Sequence, residues 1–379
     1  MLVRSRLSTL SAIALLVAAC GGSGASTAPT QAASTQSTAS QAPPATQAAA
    51  EDVCTKPKGT SGVTLGFASY GGVYQKAQRD GWLTPYTALT GVQFAESEES
   101  ANAEIKKQVE NNAVTWDVVD VGNDFGLSAN AAVLEPLDYS LIKKDEILPG
   151  FASDLRVADI TYGVVLAYRS DKFSTPPAGW ADFFDLQKFP GKRGMYDYSA
   201  GGIFEVALMA DGVAPKDLYR NGQGLDVDRA ITKLDTIKSS LVFWPGGAKS
   251  MELIEAGEVT MSLMWNGRAW SAKHIDNKPV EIQWNQQILT ADFFVVPKGT
   301  PHKADAMQFI AWATCAQNNA APSNEIPYGP TNKNAKPQAD KVADLAVTNV
   351  NDSTAYFDDE WLVNNAAMLD QKYNDWKTK

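Results

Sequence analysis

From residue 63 onward, short apolar runs alternate with segments of helical periodicity, and this alternation constrains the fold more than any other feature. The clearest runs lie at 63–68, 116–121, 160–168, 194–198, 260–265 and 293–297. Between two of them, Ile105 and Val109 stand four residues apart, on one face of a predicted helix. Such alternation favours an α/β fold in which helices cover mainly parallel strands. The chain is long enough for two globular lobes.

The N-terminus has the pattern of an export signal. Arg4 and Arg6 precede an apolar stretch at 11–17, which small residues close before Cys20. This stretch is too short to span a bilayer, so residues 1–19 are predicted to be a cleaved signal peptide. The cysteine at the cleavage point resembles the bacterial lipobox, and that resemblance implies a lipid anchor on Cys20. An ordinary signal followed by an incidental cysteine is the alternative.

A low-complexity stretch follows this cysteine. Residues 21–50 contain only Gly, Ser, Thr, Ala, Gln and Pro, with no charged and no aromatic side chain. Such a segment buries too little apolar surface to offset its ordering entropy. Residues 20–57 are therefore predicted to form a flexible linker. We expect it to hold the folded body near a membrane, in the periplasm or at the cell surface.

Composition and missing motifs exclude several classes of function. The formal net charge is −10, which argues against nucleic acid as a partner. No phosphate-binding loop is present, and the two histidines, His274 and His302, are isolated in the sequence. Asp-Tyr-Ser-Ala-Gly at 197–201 lacks the first glycine of a nucleophile elbow. We expect a protein that is not an enzyme and that has no cofactor and no metal site.

Two cysteines remain besides the one at the signal junction. Cys54 precedes the first predicted strand, and Cys315 ends a late predicted helix. In an oxidising compartment this pair could form a disulfide, and two free thiols are the alternative. No Cys-x-x-Cys motif indicates redox catalysis or zinc binding.

Several motifs occur in the order and spacing of one known family. They are Ser-Tyr-Gly-Gly at 69–72, Trp-Asp-Val-Val-Asp at 116–120, Leu-Glu-Pro-Leu-Asp at 134–138, Met-Trp-Asn-Gly-Arg at 264–268, Asp-Phe-Phe-Val-Val-Pro-Lys-Gly at 292–299 and Ile-Pro-Tyr-Gly-Pro-Thr-Asn at 326–332. Together they resemble the bacterial spermidine/putrescine-binding proteins, the solute receptors of ABC importers. The resemblance implies a monomer that delivers its ligand to a membrane permease.

The same resemblance implies the type II periplasmic-binding-protein fold, with two α/β lobes, a hinge and an interlobe ligand cleft. The expected lobes are 58–160 plus 292–330 and 161–291 plus 331–379. In α/β sheets ligands bind at the carboxyl ends of strands, and three polar loops follow such ends, at 69–72, 122–124 and 265–268.

The resemblance also implies site residues. Cleft-lining side chains are expected at Ser69, Tyr70, Asp124, Trp265 and Tyr328, with Asp292 as the partner of an amine. Family members have further carboxylates where this chain has Ser199 and Gly202. Ser199 and the nearby Asp197 are retained as candidates. Arg268 follows Trp-Asn-Gly, as in the related γ-aminobutyrate-binding proteins, and a guanidinium would bind a carboxylate.

We therefore expect a receptor for a small amine or a zwitterion similar to γ-aminobutyrate, with Arg268 and Asp292 at opposite ends of one pocket. A true polyamine receptor is the alternative, and it requires Arg268 outside the cleft and a second carboxylate, such as Asp197, inside it. An iron(III) receptor would need clustered tyrosines. A hydrolase would need one of two distant histidines as its base.

Overall fold

The computed structural model describes residues 52–379, so the predicted signal peptide, Cys20 and most of the predicted linker lie outside the described residues. The strands are β1 (Thr64–Ala68), β2 (Gln93–Ser97), β3 (Val118–Val121), β4 (Val157–Arg169), β5 (Arg193–Tyr196), β6 (Leu241–Trp244), β7 (Met261–Trp265), β8 (Val280–Val295), β9 (Gly329–Pro330) and β10 (Ala355–Tyr356). They form one sheet in the order β2-β1-β3-β8-β4-β7-β5-β6, with β9 beside β4 and β10 beside β8.

Helices cover this sheet, as the alternating pattern predicts. They are α1 (Gly72–Gln78), α2 (Thr84–Thr90), α3 (Asn102–Glu110), α4 (Trp180–Phe184), α5 (Ile203–Ala210), α6 (Val227–Asp235), α7 (Gly247–Glu255), α8 (Asn266–His274), α9 (Lys303–Ala313), α10 (Ala316–Asn319), α11 (Ala339–Val342) and α12 (Asp359–Thr378). A π-helical turn, Arg79–Leu83, joins α1 to α2. The architecture is mixed α/β.

The centre of the sheet differs from the expected mainly parallel arrangement. β1 pairs in parallel with β2 and β3, and β5 pairs in parallel with β6 and β7. The two longest strands, β4 and β8, run antiparallel to each other and join these outer groups. The sequence pattern detected only the end of β8, because the polar run at 283–287 hides the periodicity of its first half.

Two features fasten the ends of the described chain to the body. Cys54 and Cys315 form a disulfide, and Gln317 donates a hydrogen bond to the carbonyl of Cys54 at 3.2 Å. The last residues of the predicted linker, from Asp52, therefore contact the end of α9. At the other terminus, Lys377 of α12 pairs with Asp197 at 2.5 Å, and Tyr373 donates a hydrogen bond to the same carboxylate.

Buried aromatic rings fill the core under β1 and β8. Phe294 meets Phe67 and Trp82 edge-on, at centroid distances of 6.1 and 5.4 Å, and Phe309 meets Phe67 edge-on at 6.1 Å. Rings in such contact contribute packing beyond the area they bury. Among residues 52–379, no helix is both long and apolar enough to cross a bilayer.

Candidate ligand-binding site

A cavity of about 630 Å³, including its mouth, opens beside the central strands. Its wall combines aromatic rings with a few charged groups, as pockets for small solutes do. The lining residues are Tyr70, Tyr74, Gly122, Asn123, Asp124, Tyr162, Val164, Tyr196, Tyr198, Ala200, Gly201, Trp265, Arg268, Asp292, Tyr328 and Phe357. Six of the nine residues predicted for the site are among them: Tyr70, Asp124, Trp265, Arg268, Asp292 and Tyr328.

The aromatic wall is fixed by packing between rings. Trp265, the last residue of β7, meets Tyr162 and Tyr196 edge-on at centroid distances of 6.3 and 5.3 Å. Trp244, buried behind the wall, stacks on Tyr196 at 4.7 Å. Because each ring is held by others, the wall offers preformed aromatic faces to a ligand cation.

Arg268 lies in the first turn of α8, directly after β7, and only 2% of its surface is exposed. One terminal nitrogen donates to the backbone carbonyls of Gly71 at 3.1 Å and Tyr70 at 3.4 Å. Nε has no hydrogen-bond partner, and no carboxylate among residues 52–379 lies within ion-pair distance of the guanidinium. A side-chain hydrogen bond also links the guanidinium to the hydroxyl of Tyr328. These neutral partners do not cancel its positive charge, which is left for an anionic group of a ligand.

Asp292, on β8, contributes a carboxyl group to the cavity wall. Its side chain is buried and receives a hydrogen bond from Tyr162. Burial raises the pKa of Asp292 well above its ordinary value, and the nearby carboxylates of Asp120 and Asp159 raise it further. A ligand ammonium beside Asp292 would favour the ionised form.

Asp120 and Asp159 lie behind the cavity wall, and the sequence analysis did not find them. Strand register explains their position: Asp120 faces Phe294 across β3 and β8, two residues from Asp292, and Asp159 precedes Ile160, which faces Asp292 across β4. One oxygen of each carboxylate has no hydrogen-bond partner within residues 52–379. Burial raises the pKa of Asp120 to about 7. Asp292 is therefore backed by two further carboxyl groups.

Asp124 is a second carboxylate in the cavity wall. The hydroxyl of Tyr198 and the side-chain amide of Asn102 donate hydrogen bonds to it. Burial raises the pKa of Asp124, and these hydrogen bonds oppose the shift. Because Asp124 already has two donors, it is better satisfied than Asp292.

Three predicted site residues do not line the cavity. Ser69 is buried and donates to Gln78 and Asp120, at 2.6 and 2.9 Å, so it supports the carboxylates behind the wall. The carboxylate of Asp197 pairs with Lys377 at 2.5 Å and accepts a hydrogen bond from Tyr373. These contacts turn Asp197 toward α12 and away from the cavity.

Ser199 is turned away in the same manner. Its hydroxyl donates to Asp370 of α12 at 2.5 Å. Neither histidine approaches it: His274 stacks on Trp270, and His302 contacts Asp117. The hydroxyl of Ser199 is therefore bonded to a carboxylate of α12, and neither of the two histidines stands beside it as a catalytic base.

A buried ion pair holds the loop that carries Asn123 and Asp124. Arg156 donates to the carbonyls of Asn123 and Phe125 at 2.7 Å, and it pairs with Asp359 of α12 at 2.5 Å. Asp359 also accepts a hydrogen bond from the side chain of Asn123. The C-terminal segment thus supports the cavity wall from outside. Phe357 of the same segment lines the cavity.

Tyr74, Tyr162, Tyr196, Tyr198 and Phe357 were also missed by the sequence analysis. Tyr196 and Tyr198 could have been suspected, because they lie in the last residues of the predicted strand at 194–198. The other three stand inside regular elements or after a short strand, where sequence alone does not give the direction of a side chain. Within residues 52–379, no group of three or more His, Cys, Asp or Glu side chains is arranged to hold a metal ion.

A protein-family match and a sequence relative both identify this chain as similar to solute-binding proteins. Residues 81–349 match the family described as bacterial extracellular solute-binding protein. The gamma-aminobutyric acid-binding protein of Pseudomonas aeruginosa is 33% identical over 326 residues, which cover 83% of this chain and 91% of that protein.

Solved structures agree with this match. A GABA receptor structure is 38% identical, with a TM-score of 0.76, and the alignment covers 83% of this chain and 97% of that one. The binding protein AgtB from A. tumefaciens R10, solved with agropinic acid, is 30% identical, with a TM-score of 0.77 and coverage of 84% and 99%.

Proposed function

This chain belongs to the family of bacterial extracellular solute-binding proteins, and we propose that it is the receptor of an ABC importer for γ-aminobutyrate or a similar ω-amino acid. One observation supports this ligand class above all others. Arg268 and Asp292, of opposite charge, line one small aromatic cavity, and neither has an ion-pair partner among residues 52–379. A zwitterion with separated charges would neutralise both groups at once.

In the proposed complex, the ligand carboxylate pairs with Arg268 and the ammonium with Asp292. Charge-assisted hydrogen bonds of this kind are about twice as strong as neutral ones. The rings of Trp265 and the surrounding tyrosines would contact the methylene chain and the ammonium, at about 0.5–2 kcal/mol for a cation on a ring face. The names of two relatives support the same ligand class. One is a gamma-aminobutyric acid-binding protein, and the other is a solved structure of a GABA receptor.

We further propose that the cavity lies between two lobes, 58–160 plus 292–330 and 161–291 plus 331–379. The strand register supports the first two boundaries. Ile160 pairs with Asp292 and Thr161 with Ala291, so these two crossings lie side by side in the sheet, where a small change in backbone angles would rotate one lobe against the other. The boundary at 330 has no such support, because Thr331 donates a hydrogen bond to the carbonyl of Ala158, which lies in the first lobe.

The signal and the linker complete the proposal. Lipidation of Cys20 would anchor the receptor at the outer face of a membrane, and the linker would let a monomeric body reach the permease. A non-catalytic role agrees with the placement of Ser199 against Asp370.

A polyamine is the second candidate ligand, favoured by the presence of two carboxylates, Asp124 and Asp292, in one cavity. The residues expected for it are placed differently, however. It requires Arg268 outside the cavity and a second carboxylate, such as Asp197, inside. Asp124 supplies a second carboxylate, but Arg268 lines the cavity and Asp197 does not. A buried guanidinium would repel a dication.

Calorimetric titration of the purified protein with γ-aminobutyrate, putrescine and spermidine tests the proposal. We expect saturable binding of γ-aminobutyrate that is at least tenfold tighter than binding of either polyamine. Tighter binding of putrescine or spermidine would favour the second candidate. Absence of heat with all three ligands would refute both.

A further inference from the structure

The guanidinium of Arg268 lies between two glycines that come from different helices. A Cβ atom at Gly247, the first residue of α7, would stand 2.6 Å from Nε of Arg268 and 2.9 Å from the ring of Trp265. A Cβ atom at Gly72, the first residue of α1, would stand 2.7 Å from a terminal nitrogen of the same guanidinium. Cβ atoms essentially never approach other atoms this closely, so neither position accepts a side chain while Arg268 keeps its place.

The two glycines differ in their backbones. Gly72 has φ = 58°, a left-handed conformation that favours glycine whatever its surroundings. Gly247 is not among the glycines with positive φ, so space is the physical reason for glycine there. Its neighbour Gly246 has φ = −168° and no atom within 4 Å of a built Cβ, so Gly246 is free of both constraints.

Few hydrogen bonds fix the position of the guanidinium. They go to the backbone carbonyls of Tyr70 and Gly71 and to the hydroxyl of Tyr328, and Nε has none. Packing against Gly247 therefore contributes to where the charge lies relative to Trp265. A displacement of a few tenths of an ångström would move the donors that a ligand carboxylate needs, and such hydrogen bonds depend steeply on geometry.

We propose that Gly247 is a specificity-determining position of this site, because its missing side chain positions Arg268 for a ligand carboxylate. This inference rests on the proposed function, in which Arg268 binds that carboxylate. Gly247 does not touch the ligand in this scheme. It acts through Arg268, so its effect must depend on the presence of that side chain.

The test compares Gly247→Ala with the matched control Gly246→Ala by calorimetric titration with γ-aminobutyrate. We expect Gly247→Ala to weaken binding at least tenfold and Gly246→Ala to change it less than twofold, with melting temperatures of the two variants within a few degrees. Equal binding by both variants and the wild type would overturn the inference and leave the proposed function standing. Failure of the wild-type protein to bind γ-aminobutyrate would refute the proposed function itself, and the inference with it.

A second comparison separates a positioning role from a general packing role. In an Arg268→Ala background, titrated at high ligand concentration, we expect Gly247→Ala to weaken the residual binding less than twofold, because the side chain it positions is gone. A loss as large as in the wild-type background would show that Gly247 acts by another route, and the inference would be wrong.

Discussion

The carboxylates of Asp120 and Asp159 share one hydrogen-bond donor, the side-chain nitrogen of Gln78, which lies 2.7 Å from the first and 3.4 Å from the second. Tyr74 donates to Asp159 at 3.0 Å, and Ser69 donates to Asp120. These neutral donors do not neutralise two buried carboxylates. No cation among residues 52–379 pairs with either, so their ionisation is costly and depends on pH.

Asp120→Asn should therefore stabilise the protein more at neutral pH than at acidic pH. Burial raises the pKa of Asp120 from an ordinary value of 3.8 to about 7. Between these values the folded state binds the proton that the unfolded state has lost, so wild-type stability falls as the pH rises from about 4 to about 7. Asparagine cannot ionise, so the variant should not lose stability over this pH range through this side chain.

Urea unfolding of the wild type and Asp120→Asn at pH 5, 6, 7 and 8 measures the effect. The variant should gain on the order of a few kcal/mol relative to the wild type by pH 7, with no further gain above it. A difference that does not change with pH would show that Asp120 has an ordinary pKa.

The affinity for γ-aminobutyrate should rise with pH. Burial, Asp120 and Asp159 raise the pKa of Asp292 well above its ordinary value, so the empty receptor holds this proton to a higher pH than an ordinary aspartate would. The ligand ammonium favours the ionised form, and binding then releases protons. Titrations in buffers of different ionisation enthalpy would measure the number released.

Glu205→Gln is the matched control for that experiment. Burial raises the pKa of Glu205 to about 7 as well, but Glu205 contacts Tyr219 and does not line the cavity. The pH slope of binding should be unchanged in this variant. A pH-independent Kd in the wild type would contradict proton release.

Asp292→Asn should weaken γ-aminobutyrate binding by at least about thirtyfold, because removing one partner of a buried charge pair costs about 2–5 kcal/mol. Asp197→Asn is the control, since its carboxylate pairs with Lys377 and does not line the cavity. Its Kd should stay within about threefold of the wild type. Loss of binding in Asp197→Asn alone would contradict this assignment.

Asp359→Asn should loosen the cavity loop at 122–125. Arg156 is buried and would keep its charge without its carboxylate partner, which costs about 3–5 kcal/mol for a buried pair. We expect a lower free energy of unfolding and faster amide hydrogen exchange at Asn123 and Asp124. Asp171→Asn, which breaks the exposed pair with Arg169, should cost less than about 1 kcal/mol.

Replacing Cys54 and Cys315 together by serine should lower the free energy of unfolding by about 2–5 kcal/mol, since the disulfide closes a loop across a sequence separation of 261 residues. Neither cysteine lines the cavity. The Kd for γ-aminobutyrate should therefore stay within twofold, as measured by calorimetry at a temperature where the variant is folded. A large loss of affinity would show that the N-terminal attachment shapes the site.

Motifs at strand ends made part of the site predictable. Tyr70, Asp124, Trp265 and Arg268 follow or end apolar runs, where α/β sheets place their ligand loops. Asp292 lies inside β8 and Tyr328 precedes β9, so these two were predicted from the family resemblance alone. Asp197 and Ser199 satisfy the same rule but are turned aside by Lys377 and Asp370 of α12. Helix α12, which lies more than 150 residues later in the chain, forms hydrogen bonds with both side chains.

The sequence by itself determined the α/β alternation, the family and the loops from which ligand-binding groups come, because periodicity and turn residues are local properties. Only the tertiary structure decided that β4 and β8 run antiparallel through the centre, and that Asp120 and Asp159 stand behind Asp292. Strand register brings those three carboxyl groups together. Register depends on contacts between strands far apart in the chain, and no local pattern specifies them.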